Sequence, residues 1–183
     1  MAVMLNQDQF GIKAQSINGL AERLSNIPWY KNAGKEDKKA EELFRRFMRN
    51  INVSEYEIVW ISKEEAADTI SKLRFEGSKL WEVLSVLPDT LKKKVDELEQ
   101  RHLLETAVDT LPEFVFHFAF DGAFQVFQEE KAINFLTGHA MYIAILAATA
   151  EIAGEAELFA PLLDMLESGH VPLGPEGNVI YLL

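Results

Sequence analysis

His117 and Asp121 stand four residues apart in the stretch Glu113–Glu130, EFVFHFAFDGAFQVFQEE. On a helix that spacing puts both on one face, with Glu113 and Gln125 extending the stripe. Asp121 could then orient His117 as a general base, or Glu113, His117 and Asp121 could share a metal ion. A solvated polar stripe is the plainer account, because no nucleophile in the chain accompanies the pair. Glu99 and His102 form a Glu-x-x-His, the spacing with which paired bundle helices hold two metal ions. A second copy, Glu167 and His170, is interrupted by the helix breaker Gly169, and chance matches are expected in an acidic protein. His139 falls in the first turn of an alanine-rich helix and reads as structural. His170 reads as a loop histidine.

The segment that must position His117 and Asp121 has two readings. Phe114, Phe116, Phe118 and Phe120 alternate before Asp121-Gly122, as in a hairpin. Yet Val115, Phe116, Ala119, Phe120, Ala123, Val126 and Phe127 fill one arc of a helix, with Glu113, His117, Asp121, Gln125 and Gln128 mostly opposite. The residues after the turn do not alternate, so helix is the preferred reading for 113–128. Phe114, Phe118 and Phe124 then intrude on the polar side and need a partner of their own.

The flanking segments read as helices too. A first helix is predicted over 8–27, from Phe10, Ile17, Leu20, Leu24 and Ile27, closed by Pro28. A loop at 29–34 precedes a second helix over 36–49. The run 56–61 is the strand candidate of the first two thirds, and Ser62-Lys63-Glu64-Glu65 supplies a capping box for a helix from Lys63 to about Leu73. A short helix over 78–87 should end at Pro88, and Asp89 should cap another that runs from Thr90 to about Val108 and breaks at Leu111-Pro112. Thr137 should cap a helix through Ile152 that Gly154 ends, and 155–167 forms the last one. The tail, 171–182, reads as two extended pieces separated by turn residues, able to pair with 56–61.

The predicted fold is therefore mainly α, a single-domain helical bundle over 1–183 with a minor β element from 56–61 and a C-terminal 171–182 hairpin. An α+β fold is the alternative if the sheet is larger. A chain of 183 residues with 48% hydrophobic and 26% charged residues is ordinary globular composition. The formal net charge of -11 argues against general nucleic-acid or anionic-membrane binding. Charge is lopsided: residues 111–183 hold ten acidic groups against one base, Lys131. With no cysteine there is neither a disulfide nor a zinc finger. The stretch MAVMLNQDQF lacks the features of a signal peptide, and the apolar run Ala140–Ala150 is about half of what a bilayer requires. A cytoplasmic protein is expected.

Phosphate-cradling, dinucleotide, nucleophile-elbow and zinc-protease motifs are all missing from the sequence. No cofactor is indicated. The expected function is a non-enzymatic interaction or regulatory module. Its partner would be a protein, basic in character, and a homodimer is a further form it could take. The alternative is a helical enzyme or a small-ligand or metal-binding protein, using His117 and Asp121 or Glu99 and His102.

Overall fold

The computed structural model describes residues 15–183. The predicted first helix begins outside them: its part from 8 to 14, with Phe10 and Gly11, and the MAVMLNQDQF stretch are not among the described residues. Residues 15–25 form α1. The turns at 29–34 then bury Trp29 and Tyr30, and the Tyr30 hydroxyl donates to the Leu136 carbonyl at 2.8 Å. Helix α2 (Lys38–Asn50) starts at Asp37, whose carboxylate accepts from the N–H groups of Lys39 and Ala40. It buries Ala40, Phe44, Phe47 and Met48.

Strand β1 (Glu57–Trp60) follows, then α3 (Ala66–Lys72). The capping box at Ser62 forms only in part. The Glu65 carboxylate accepts from both the Ser62 N–H and the Ser62 hydroxyl, at 2.8 and 2.9 Å. The Glu65 N–H goes instead to the Ser62 carbonyl, so residues 63–65 make a turn and the helix starts at Ala66, not Lys63.

The helix boundaries predicted at the two prolines are wrong. Helix α4 (Lys79–Glu97) runs through Pro88, and α5 (Arg101–Val126) runs through Pro112. The break falls between them, at Leu98–Gln100. There Glu99 adopts φ 56°, its N–H reaches the Asp96 carbonyl, and the Gln100 N–H reaches the Val95 carbonyl. This is the paired bonding of a Schellman motif with glutamate where glycine is usual. At Pro88 the missing N–H leaves the Leu84 carbonyl without its helical donor. The Tyr142 hydroxyl supplies one from a neighbouring helix, at 2.8 Å.

Helix α6 (Glu130–Ile152) begins two turns before the predicted cap. Thr137 lies inside it, its hydroxyl donating to the Ile133 carbonyl. The apolar stretch is thus longer than Ala140–Ala150. By length and composition α6 could cross a membrane, and 61% of its most apolar window is buried inside the fold. Gly154 ends the helix at φ 76°, as predicted. A short 3-10 turn (Ala156–Leu158) leads into α7 (Ala160–Glu167), with Pro161 in the first turn, where no N–H is needed.

Strands β2 (Pro172–Glu176) and β3 (Val179–Leu182) close the chain. The sheet order is β1-β3-β2. Strand β3 is central, parallel to β1 with Glu57 opposite Val179 and antiparallel to β2. Both prolines of β2 lie on an edge strand, where their lack of N–H costs nothing.

The fold is mainly α with a minor three-stranded sheet, as the sequence predicts. The α5–α6 hairpin is its largest helix pair. Small residues are buried on both helices: Ala119 and Ala123 on α5, and Ala132, Ala140, Ala144, Ala147 and Ala148 on α6. One hydrophobic cluster runs from Ile17 on α1 to Leu183.

Candidate interaction surface on α5

The segment 113–126 is helical, so His117 and Asp121 do share the outward side of α5. Both are exposed, and no hydrogen bond joins them. His117 lies edge-on to Phe116, with ring centroids 5.7 Å apart. Asp121 borders an open depression beside Trp29 and Lys31. Glu99 and His102 are not brought together on one helical turn, because the break at Glu99 separates them and His102 is exposed to solvent. Glu167 ends α7 and pairs with Arg23, while His170 lies beyond the next break.

His170 is buried rather than free in a loop. Its Nε2 lies 2.8 Å from the Lys35 carbonyl and its Nδ1 2.8 Å from the Ser168 hydroxyl, with Trp60 edge-on. Since a carbonyl only accepts, Nε2 carries the hydrogen, and the ring joins the C-terminal segment to the loop before α2. Among the described residues no group of three or more His, Asp or Glu side chains is arranged to hold a metal ion.

What α5 presents instead is aromatic. Phe114, Phe116 and Phe118 are each close to 40% exposed, and Phe124 is 67% exposed. Phe116, expected on the inner arc, is therefore outside. The covered face of α5 holds Val115, Ala119 and Ala123, all fully buried, and Phe116 falls beside it rather than on it. The phenylalanines form two rows. Phe114 and Phe118 meet edge-on at 5.2 Å along one flank. Phe116, Phe120 and Phe124 stack along the other, at 5.5 and 6.1 Å with planes within 19° and 16° of parallel. The i, i+4 spacing accounts for both rows.

The second row spans about 12 Å along the helix axis. On α5 itself the charged side chains beside it are of one sign, while Lys31 and Lys63 from other segments line depressions next to Asp121 and Val126. From His102 to Val126, α5 carries Glu105, Asp109, Glu113 and Asp121 and no lysine or arginine. None of these four carboxylates is in an ion pair among the described residues. Comparison of the chain with protein-family models, with curated proteins and with solved structures finds no match.

Proposed function

We propose that the protein is a non-enzymatic interaction module, and that the Phe116–Phe120–Phe124 row is where it docks a partner. The occupant is an amphipathic helix of another protein, apolar along one face and flanked by lysine or arginine. The exposure of stacked phenylalanines on a helix otherwise rimmed by unpaired carboxylates carries this reading. Contiguous exposed aromatics are uncommon unless they meet something. A helix laid along the row gains apolar burial from rings already ordered by stacking, and its basic flanks meet Asp109, Glu113 and Asp121. Two copies of this face would instead set carboxylates against carboxylates.

A helical enzyme or metal-binding protein built on His117 and Asp121, or on Glu99 and His102, draws less support. Neither pair forms a hydrogen-bonded couple, and no third ligand joins either one among the described residues.

The test is a fluorescence anisotropy titration with two synthetic helical peptides of the same leucine face, one flanked by lysines and one by glutamates. The lysine peptide should bind at least about tenfold more tightly, and added salt should shrink that preference. The double variant Phe116→Ser/Phe124→Ser should lose at least about tenfold in affinity while keeping its helical circular dichroism. Equal binding of the two peptides, or an unchanged double variant, refutes the assignment. Sedimentation of the protein alone as a dimer that the double variant dissolves would put a second copy on the row in place of the foreign helix.

A further inference from the structure

A second feature lies on a different face, between the first half of α4, the first half of α6 and β2. It is a cavity of about 360 Å³, within the range of small-molecule sites. Its walls are aromatic: Phe75, Trp81, Phe135 and Tyr142 all line it. Trp81 packs against Phe75 at 4.9 Å and Tyr142 at 6.4 Å, yet stays 40% exposed at the mouth. Among the described residues no charged side chain lines the cavity. A smaller recess of about 40 Å³ adjoins it and shares His139 and Tyr142 as wall.

The polar groups converge from one helix. Asn134 and His139 both line the space; Asn134 is exposed, and its side chain makes no hydrogen bond among the described residues. The His139 ring lies nearly parallel to Phe135, 5.6 Å away. Burial holds its imidazole neutral, with a pKa lowered to about 4, and the Pro172 carbonyl opposes that in part. The neutral ring keeps one nitrogen as a donor and the other as an acceptor.

Gly138 is the informative residue. It lies in the interior of α6 and lines the cavity, yet a Cβ built there would meet nothing within 4 Å. Packing therefore does not require glycine. A glycine in a helix interior destabilises it by roughly 0.5–1 kcal/mol relative to alanine. Gly138 is exposed, and its effect here is to keep the cavity's open side clear.

We propose that this cavity binds a small, uncharged, flat aromatic molecule carrying one hydrogen-bond donor, lying against the wall that Phe75, Trp81 and Tyr142 form, with its donor toward His139. The uncharged lining selects against carboxylates and amines, which would lose hydration without a counter-charge. The aromatic walls favour a planar ring over an alkyl chain. This assignment is independent of the α5 docking surface, which lies on other residues.

The experiment titrates the full chain with 1-naphthol, naphthalene, 1-naphthoate and 1-naphthylmethylamine, following tryptophan fluorescence and ¹H–¹⁵N shifts. 1-Naphthol should bind saturably, shift the amides of Gly138 and His139, and bind at least about tenfold more tightly than the two charged compounds. Naphthalene should bind more weakly than 1-naphthol, and His139→Phe should remove that difference. Gly138→Leu, which obstructs the open side, should abolish binding without lowering the melting temperature. Absence of saturable binding, binding that survives Gly138→Leu, or equal affinity for the charged compounds would each overturn the proposal.

Discussion

His139 shows how burial changes what a residue does. In the sequence it is one of four histidines, at an ordinary helical position. In the fold it is partly buried among apolar groups, and loss of hydration lowers its pKa from the usual 6.5 to about 4. The unfolded chain binds a proton there that the folded chain refuses. Stability is therefore full above about pH 6.5 and is lost progressively as pH falls toward 4. Urea denaturation of the wild type and His139→Gln, at pH 7.5 and at pH 5, checks this. The wild type should lose more stability than the variant on acidification, and equal losses would show that His139 is hydrated.

At the scale of elements, the helix ends are harder to read than the helices. Proline at 88 and 112 suggests stops, but each helix continues through it. For Pro88 the reason is tertiary, since the Tyr142 hydroxyl answers the carbonyl that the proline leaves without its helical donor. The real stop at Glu99 carries no glycine or proline to announce it. Holding a non-glycine residue in the left-handed region costs roughly 1–2 kcal/mol. Glu99→Gly should therefore stabilise the protein by about 0.5–1 kcal/mol, after the added chain entropy of glycine is deducted. A chemical denaturation midpoint that falls instead would mean that the Glu99 side chain supports the turn.

For the whole molecule, the deciding contacts join distant segments. Strand β3 runs parallel to β1 although α3 to α7 and β2 separate the two along the chain, and Gly122 of α5 meets Trp29. A Cβ at 122 would lie 2.6 Å from the Trp29 Cβ and 2.9 Å from its carbonyl oxygen. Backbone cannot swing aside as a side-chain tip can. Gly122→Ala should destabilise by about 1–3 kcal/mol although alanine is the better helix former. An unfolding midpoint equal to or above wild type would refute the close approach. Binding of the lysine-flanked peptide to the folded variant should be unchanged, since the phenylalanine row is on another side of α5.

Local pattern was enough to read the mainly α class, the strand at 57–60, the extended tail and the helicity of the phenylalanine-rich stretch. Period and turn chemistry report on a residue's own neighbours along the chain, and those elements are decided there. The pattern also put His117 and Asp121 on the outer side of a helix. It misplaced Phe116 and gave no sign that Gly122 meets Trp29. It gave no sign that Gly138 and His139 border a cavity. Each of these depends on how closely another segment approaches: α6 against α5, Trp29 against Gly122, α4 and β2 around His139. Sequence sets which faces of a helix are apolar, but only the packed structure decides which of them are covered.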